Sequence, residues 1–477
     1  MEFVDREEQV EELKRLYAGP GGKMVNVFGR RRVGKTSLMR EFVKGKAHLF
    51  YTADAKAEVD QVKALTDVMA DLFSDAAPFG HFTSWPEALE FLLVRLRERN
   101  KKSVVVLDEF QEICAQNKAV PSVLRALWDR LGEDSKTMLV ITGSLISEMR
   151  ELEMGKEPLF GRFKGRIHLR PFTFSESSLF FPGRGSRQRI ESYAVLGGMP
   201  MYLDIGAASS SIWNTIENDI FNPNRILYEE VPYLLGQELR DPALYMSILA
   251  AISRGLTRPA KIGSETGIKA DTVSAYLHRL EKMDIVGRAF PVTEKSPEKS
   301  RRVSYFIKDN FVRFWLRYLF PYKYLVESGE RDAALDIVKA DFPGFVSQTF
   351  EEVVRDAVRV ENSRKAIPVP LKRTGRYWDK NVEIDICGIG QEKGSHLWGE
   401  CQWRNERMGP AVLDNLKAKV AASGLADRGA HYYLLCSRSG FRKSLVQRAK
   451  AEGVILWGLD DIDRILRGYC CCLTGGR

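Results

Sequence analysis

At 477 residues the chain is too long for one hydrophobic core, so we expect two to four domains; its 44% hydrophobic and 28% charged content is ordinary for a globular protein. A formal net charge of +9 and a pI near 9.0 permit a nucleic-acid partner without demonstrating one. No apolar run is long enough to cross a membrane, the first residues are not those of a signal peptide, and none of the seven cysteines forms a C-x-x-C pair. We therefore expect a cytoplasmic protein without a zinc site or a disulfide framework.

Residues 29–36 are the first strong motif, because they match the phosphate-binding loop pattern G-x-x-x-x-G-K-[ST] at every specified position. The apolar run 24–28 before them favours a strand, and residues 37–42 after them favour a helix. Backbone N–H groups and a helix N-terminus would then face phosphates. The pattern predicts ATP or ADP binding, with Lys35 on the β/γ-oxygens and the Thr36 hydroxyl on Mg²⁺. The predicted nucleotide-binding residues are Gly29, Arg30, Arg31, Arg32, Val33, Gly34, Lys35, Thr36, Ser37 and, from a later strand, Thr142.

A second motif ends in Asp108 and Glu109, which follow four consecutive apolar residues. This is typical of a buried parallel strand with an acid at its carboxyl end, the Walker B element. Asp108 would hold Mg²⁺ through water or Thr36, and Glu109 would orient or deprotonate the attacking water. The elements predicted between the two motifs are a strand at 48–52 and helices around 58–74 and 86–99.

Two later segments offer further contacts to the γ-phosphate. A predicted strand at 137–142 leads into Gly143 and Ser144, and either Thr142 or Ser144 could sense the phosphate or cap the next helix instead. Arg162, in the basic segment 161–166, is a candidate arginine finger or sensor, and a solvated basic turn is the alternative.

These motifs resemble the archaeal-type ATPase family, in the STAND branch of the AAA-related P-loop proteins (MNS clade). The resemblance covers roughly residues 3–465. Its most family-specific part is a Gly-Gly-x-Pro segment, which we expect to form a rigid turn between two helices of a lid. The matching residues are Phe3, Asp5-Arg6-Glu7, the loop 29–36, 107–111, 142–144, 158–162 and Gly197-Gly198-Met199-Pro200 within 193–203.

Residues 240–310 read as a small separate domain. Helices are predicted at 245–252, 259–266 and 271–281, and strands at 285–292 and 302–307, which together make a winged helix. If this domain binds DNA, one set of side chains faces the groove and the basic loop contacts phosphates; the alternative is a rigid coupler that packs on the ATPase. The groove-facing candidates are Lys269, Thr272, Ser274 and Arg279, and the phosphate-contacting candidates are Lys295, Lys299, Arg301 and Arg302.

Residues 345–465 alternate predicted helices and strands. Glu351, Asp385, Glu400 and residue 402 have the order E…D…E-x-K of a restriction-endonuclease-like site, in which carboxylates hold Mg²⁺ and the lysine positions or activates water. The resembled family usually has Glu-Cys-Lys-Trp here, whereas this chain has Glu400-Cys401-Gln402-Trp403. Because Gln402 carries no charge, the sequence leaves open an active nuclease or a nuclease-derived DNA-binding or scaffolding module.

The sequence thus predicts an α/β multidomain protein that hydrolyses ATP with Mg²⁺ and transmits its nucleotide state through the lid to DNA-facing modules. Two alternatives are a nuclease whose ATPase gates cleavage and a signalling switch that hydrolyses ATP slowly and recruits a protein partner. The predicted domains are a P-loop ATPase (1–170), a helical lid (171–238), a winged helix (239–310), a helical linker with a buried aromatic stripe (311–344), a PD-(D/E)XK-like domain (345–467) and a tail (468–477).

Overall fold

The computed structural model describes residues 4–73, 80–239, 241–297, 300, 302–425 and 429–474. The chain divides into two compact units, Met1–Pro171 and Phe172–Arg477. Among the described helices, none combines the length and the apolar character needed to cross a bilayer.

The first unit is an α/β structure built on a parallel sheet. Its strands are β1 (Lys23–Phe28), β2 (His48–Thr52), β3 (Ser103–Asp108), β4 (Thr137–Gly143) and β5 (Phe163–His168). Its helices are α1 (Glu7–Ala18), α2 (Lys35–Val43), α3 (Glu58–Leu72), α4 (Trp85–Arg99), α5 (Phe110–Gln116), α6 (Val120–Leu127) and α7 (Ile146–Glu151).

The five strands lie in the order β2-β3-β4-β1-β5, and every neighbouring pair is parallel. β3 and β4 are buried along their whole length, which explains why they read as continuous apolar runs. Because β3, β4 and β1 are adjacent and parallel, their carboxyl ends meet at one edge of the sheet. The phosphate-binding loop follows β1 there, and the acids of the second motif lie at the end of β3.

β5 is the strand of this unit that the sequence did not reveal, since residues 161–166 were interpreted as a basic segment that carries an arginine finger or sensor, or as a solvated basic turn. It is an edge strand on which Lys164 and Arg166 are exposed. Charged side chains are common on edge strands because they discourage pairing with another chain, but they also weaken the strand signal. Gly165 of β5 packs against Leu16 of α1, where a Cβ would lie 2.4 Å from a Leu16 methyl carbon.

The second unit contains the remaining helices and two sheets. Its helices are α8 (Phe174–Ser177), α9 (Ser186–Leu196), α10 (Pro200–Ala208), α11 (Ile212–Thr215), α12 (Glu230–Glu238), α13 (Pro242–Ser253), α14 (Pro259–Thr266), α15 (Ala270–Lys282), α16 (Asn310–Phe314), α17 (Lys323–Glu327), α18 (Arg331–Ser363), α19 (Pro410–Ala422), α20 (Lys443–Glu452) and α21 (Leu459–Thr474). Its strands are β6 (Val286–Ala289), β7 (Ser304–Ile307), β8 (Leu371–Trp378), β9 (Glu383–Gly390), β10 (His396–Gln402), β11 (His431–Ser437) and β12 (Ile455–Trp457).

The strands of this unit form one hairpin-like pair and one mixed sheet. β6 and β7 pair antiparallel. The larger sheet has the order β12-β11-β10-β9-β8, with β8, β9 and β10 antiparallel and β10, β11 and β12 parallel. Strands β8 and β12 were not predicted from the sequence. Helix α21 continues to Thr474, so most of the segment expected to be a tail is helical.

The Gly-Gly-x-Pro segment forms the expected turn between two helices, α9 and α10. Gly197 has φ +63°, a left-handed conformation that glycine adopts without strain. At Gly198 a Cβ would lie 1.9 Å from the carbonyl oxygen of Phe172, and the Phe172 amide donates to the Gly198 carbonyl at 2.7 Å. The second glycine is therefore required because two backbones touch.

The aromatic stripe of the predicted linker is part of the hydrophobic core, as expected. Its four members are at most 2% exposed. Helix α18, which follows α17, is 33 residues long and contains Pro343. It runs without a break across residue 345, where the sequence predicted a domain boundary. The buried aromatic residues are Phe311, Phe314, Trp315 and Tyr318.

Candidate functional site

The phosphate-binding loop is held at its start by the strands on either side of β1. The Gly29 amide donates to the Gly143 carbonyl of β4 at 3.3 Å, and a Cβ on Gly29 would lie 2.2 Å from the Leu169 carbonyl oxygen. Arg32 and Gly34 adopt left-handed conformations, with φ of +67° and +96°, which turn the loop into α2. The glycines at both ends of the motif thus serve a close approach and a tight turn.

Lys35 carries a buried charge at this edge of the sheet. Its side chain is 4% exposed, and its ammonium donates to the Gly29 carbonyl at 3.0 Å and lies 4.0 Å from Glu109 Oε1. Burial lowers the pKa of Lys35 below its ordinary value, against the attraction of Glu109 and Asp108. A desolvated ammonium bonded to loop carbonyls fits a loop that takes an anionic ligand.

Asp108 is bonded by hydroxyl groups from two other elements. The Thr36 hydroxyl of α2 donates to Asp108 Oδ2 at 2.8 Å, and the Thr142 hydroxyl of β4 donates to Asp108 Oδ1. Asp108 is 1% exposed and Thr142 is fully buried. The structure thus brings together three of the predicted site residues as hard oxygen donors of the kind that Mg²⁺ prefers.

Glu109 follows Asp108 in a left-handed conformation, with φ +55°. Its Oε2 accepts hydrogen bonds from the Ser144 amide at 3.2 Å, from the Ser144 hydroxyl at 2.8 Å and from the Gln111 side-chain amide. Burial opposes ionisation, but Lys35 and these hydrogen bonds outweigh it and lower the pKa of Glu109. The carboxylate is therefore ionised at neutral pH, as a residue that orients or deprotonates water requires.

The remaining predicted loop residues differ in exposure. Arg30 and Val33 are buried, whereas Arg31 and Ser37 are exposed. Ser37 therefore faces solvent on the first turn of α2.

Arg6 is a residue that sequence reasoning noted only as part of a family match. It is 6% exposed, and its guanidinium donates to the Arg170 carbonyl at 2.7 Å and the Val33 carbonyl at 3.4 Å. Arg6 thus joins the segment before α1 to the phosphate-binding loop and to the residues after β5. A lone arginine before a helix gives no sequence signal for such a contact.

Arg162 does not lie at this edge, which corrects the expectation that it contacts the nucleotide of its own chain. It precedes β5, whose first residue pairs with Met24 at the amino end of β1, whereas the loop follows Phe28. Four residues of β1, which span roughly 13 Å, therefore separate the level of Arg162 from the start of the phosphate-binding loop. The Arg162 guanidinium instead makes two 2.8 Å hydrogen bonds to the Asp129 carboxylate.

Two cavities of about 190 and 270 Å³ open elsewhere on this unit, at the amino edge of the sheet and beside β5. Neither cavity is lined by a residue of the phosphate-binding loop or by Asp108. Arg166, which lies in the same basic segment as Arg162, lines the second cavity and pairs with Glu153 at 3.0 Å. The residues predicted to bind the nucleotide lie instead at the carboxyl edge of the sheet.

The second unit gathers the three carboxylates that the sequence singled out. Glu351 lies on α18, Asp385 on β9 and Glu400 on β10. Burial raises the pKa of all three; Asp385 raises that of Glu351 and Glu400 further, and the pKa of Glu351 reaches about 7. Asp385 thus lies close enough to Glu351 and to Glu400 for its charge to oppose their ionisation.

Each of these carboxylates has a partner of its own. Gln402, at the end of β10, is half-buried, and its backbone carbonyl accepts a hydrogen bond from the Arg438 backbone amide at 3.0 Å. The positive charge that pairs with Glu400 belongs to a lysine of α19, a helix in which no sequence motif marked a site residue. The partners are the Cys401 amide for Asp385 (2.9 Å), Arg355 and Arg376 for Glu351 (3.6 and 3.9 Å), and the Lys419 ammonium for Glu400 (2.8 and 3.0 Å).

Within the described ranges, no group of three or more His, Cys, Asp or Glu side chains is arranged to bind a metal ion. Proteins usually bind Mg²⁺ through one or two carboxylates, with phosphate or water completing its shell. Thr36 with Asp108, and Asp385 with Glu400, fit this donor set.

The candidate groove-facing residues are on α15. Lys269 caps the helix and is exposed, as are Thr272 and Arg279; these three lie along one side of the exposed face. The Ser274 hydroxyl instead donates to the Ala270 carbonyl of its own helix at 3.0 Å. The opposite, buried face consists of Val273, Leu277 and Leu280.

The loop between β6 and β7 is docked on the larger sheet at its start, whereas the sequence predicted that residues up to 292 belong to the strand and that the basic loop contacts phosphates. The Val292 amide donates to the Arg376 carbonyl of β8 at 2.9 Å, and Val292 joins the hydrophobic core of that sheet. Arg373 of β8 donates to the Glu294 carbonyl at 2.6 Å. The difference arises because β8 gave no recognisable sequence pattern.

The basic side chains of this loop are only partly described. Lys295 and Arg302 are exposed, and Arg302 interacts electrostatically with Glu294 and Asp379. Lys299 and Arg301 lie outside the described residues. Arg302, which was predicted to contact phosphates, thus interacts with acidic groups of its own unit.

Comparison with known proteins shows that the first part of the chain is similar to an ATPase family. Residues 3–204 match a family described as an ATPase domain predominantly from Archaea. Residues 187–317 match a domain of unknown function, and residues 315–418 match a family of archaeal and bacterial proteins of unknown function. An uncharacterized protein of Methanocaldococcus jannaschii is 28% identical over 436 residues, which are 91% of this chain and 95% of that protein.

Two solved structures share similarity over most of their own length. The Walker-type ATPase of Pyrococcus abyssi has a TM-score of 0.48 and 20% identity, over 66% of this chain and 96% of that one. The ORC2 protein of Aeropyrum pernix, solved in ADPNP–ADP complexes, has a TM-score of 0.44 and 14% identity, over 71% of this chain and 96% of that one.

Proposed function

We propose, from the match of residues 3–204 to a family described as an ATPase domain predominantly from Archaea, that the chain binds and hydrolyses ATP. We further propose that it couples its nucleotide state to a winged-helix DNA-binding module and to a restriction-endonuclease-like C-terminal module. The observation that carries the ATPase proposal is the Thr36–Asp108–Thr142 hydrogen-bonded group with Lys35 and Glu109 beside it.

Each residue of that group has a distinct role in the proposed reaction. The loop amides and Lys35 bind the β- and γ-phosphates, and Thr36 and Asp108 hold Mg²⁺, which neutralises phosphate charge. Glu109, ionised and fixed by Ser144, orients the attacking water and accepts its proton. Thr142 fixes the Asp108 carboxylate.

The DNA-binding part of the proposal is supported by α15. Its exposed face presents Lys269, Thr272 and Arg279, while its apolar face packs into the domain. A helix with two cations and a hydroxyl on one side fits a groove between phosphates. The loop between β6 and β7 is docked on the larger sheet, so only its exposed side chains can contact DNA phosphates. We therefore assign most of the DNA-binding energy to α15.

The lid turn supports coupling between nucleotide and DNA. The chain passes directly from the residues after β5 to Phe172, whose backbone is bonded to Gly198. Asn310, at the start of α16, donates to the Tyr193 carbonyl of α9 at 3.0 Å. A shift at the end of β5 would therefore reach the lid helices and the helix that follows β7.

The experiment is ATP turnover by the purified chain with and without duplex DNA, repeated with a K269E/R279E variant. We expect DNA to raise turnover, and the charge reversal to abolish that effect and weaken DNA affinity by about tenfold or more, with a shallower salt dependence. The control is K118E/R125E, which reverses two exposed charges in the first unit. Turnover indifferent to DNA, or equal loss in both variants, would contradict the DNA-binding proposal.

A further inference from the structure

A lysine reaches the C-terminal carboxylates from a helix rather than from the strand that carries Gln402. Lys419 lies in the second half of α19, and its ammonium is 2.8 and 3.0 Å from the two oxygens of Glu400. Both side chains are largely shielded, with 33% and 21% exposure. The same ammonium acts electrostatically on Asp385 of the neighbouring strand.

We propose that Lys419 supplies the positive charge that Gln402 lacks, so that Glu351, Asp385, Glu400 and Lys419 form a divalent-metal-dependent phosphodiester hydrolase site. This inference rests on the restriction-endonuclease-like assignment in the proposed function. It goes beyond that assignment because it names the cation and predicts activity despite the glutamine.

The position of Lys419 distinguishes it from the other lysine of the same helix turn. Lys417, two residues earlier, pairs with Glu452 of α20, and both of these side chains are about one-third exposed. Lys419 instead points at the sheet, where Glu400 and Asp385 lie on adjacent strands. Glu400 is only 21% exposed, so Lys419 pairs with a shielded acid of the sheet rather than with a surface carboxylate.

The proposed step is a hydrolysis without redox chemistry. A water gives one proton to the solvent, its oxygen bonds to phosphorus, and the bond from phosphorus to the leaving sugar oxygen breaks. The leaving oxygen takes a proton from solvent, which yields a phosphate monoester and an alcohol. A divalent cation held by Asp385 and Glu400 would polarise the phosphate. Lys419 positions the attacking oxygen and offsets negative charge on the non-bridging oxygens, as a compact ammonium can.

The test uses the full-length protein as wild type, K419M, Q402K and the double variant K419M/Q402K, with K417M as the matched control. Cleavage of duplex and single-stranded DNA is measured with Mg²⁺ and with Mn²⁺. We expect wild type and K417M to cut, K419M to lose about 100-fold or more in rate, and Q402K to restore cutting in the K419M background. Restored cutting in the double variant would show that a positive charge is required and that a lysine at position 402 or at position 419 can supply it.

A second readout is Mn²⁺ affinity in the absence of DNA, measured by calorimetry. K419M should bind Mn²⁺ as tightly as wild type or a few-fold more tightly, because the ammonium no longer competes for Glu400. D385N should bind it about tenfold or more weakly, since one ligand loses its charge. A fall in Mn²⁺ affinity in K419M similar to that in D385N would mean that Lys419 only supports the local structure, which overturns the inference.

The cleavage results separate this inference from the proposed function. If wild type is inert and Q402K cuts, the domain is nuclease-like but Lys419 does not serve, and the inference fails alone. Equal cutting by K419M and wild type would overturn it in the same way. If neither wild type nor Q402K cuts any DNA, the endonuclease-like assignment fails and the inference fails with it.

Discussion

The nucleotide edge of the first unit and the carboxylate group of the second unit place acids at buried strands, but they balance the charge differently. Asp108 accepts hydrogen bonds from two hydroxyl groups. The buried ammonium of Lys35 lies beside Glu109 and helps to lower the pKa of that carboxylate. In the second unit burial raises the pKa of Glu351, Asp385 and Glu400, and the charge of Asp385 raises that of Glu351 and Glu400 further. The partners of Glu109 thus outweigh its burial, whereas Arg355, Arg376 and Lys419 do not outweigh the burial of the acids of the second unit.

The largest expected effect removes the compensating charge of the first site. K35A should weaken ATP and ADP binding by about 100-fold or more, because the buried ammonium is the principal charge directed at the phosphates. The measurement is equilibrium binding of a fluorescent nucleotide. K44A, which removes an exposed lysine just after α2, is the control and should bind normally. Unchanged affinity in K35A would remove the basis of the comparison.

A smaller effect tests the charge balance of the second site through pH. The pKa of Glu351 rises from 4.5 to about 7 on folding, so between these values the unfolded chain has released a proton that the folded unit keeps. The free energy of unfolding should therefore fall as pH rises from 4.5 to 7.

E351Q removes this titration and should stabilise the second unit relative to wild type at pH 8 by about 1–3 kcal/mol, and less at pH 5. Thermal unfolding of both proteins at the two pH values measures the difference. A stability difference between the two proteins that is the same at pH 5 and pH 8 would show that the charge on Glu351 does not oppose folding.

The smallest effect concerns the hydroxyl that compensates Asp108. T142V keeps the side-chain shape but leaves Asp108 Oδ1 without its donor, so we expect about a tenfold loss of turnover and about 1–2 kcal/mol lower stability of the first unit. T137V is the matched control on the same strand, because the buried Thr137 hydroxyl has no hydrogen-bond partner among the described atoms. Equal effects of the two variants would mean that the Thr142 contact is incidental.

The difference between the two sites also explains what the sequence could predict. Lys35, Thr36, Asp108 and Glu109 belong to short contiguous motifs whose residues are fixed by the strand-loop-helix geometry around them, so their convergence followed from pattern alone. The elements β1 to β4 were predicted for the same reason, since buried parallel strands read as apolar runs.

The parts that were missed depend on distant segments. Lys419 reaches Glu400 across 19 residues, and no local pattern distinguishes it from Lys417. The role of Arg162 was misjudged because β5, on which its position depends, carries basic residues typical of an edge strand. The docking of Val292 was missed because it requires β8, which was not recognised. Such contacts are set by packing between elements rather than by local propensity.

The central claim, that the carboxyl edge of the first unit hydrolyses ATP, is tested most directly by single-turnover measurements on wild type and E109Q. Both proteins are loaded with labelled ATP and Mg²⁺, and bound ATP, bound ADP and released phosphate are followed. We expect wild type to convert ATP to ADP, and E109Q to bind ATP with similar affinity but to hydrolyse it about 100-fold or more slowly, because an amide cannot accept the proton from water. Equal hydrolysis rates in the two proteins, or intact ATP on the wild type, would contradict the claim.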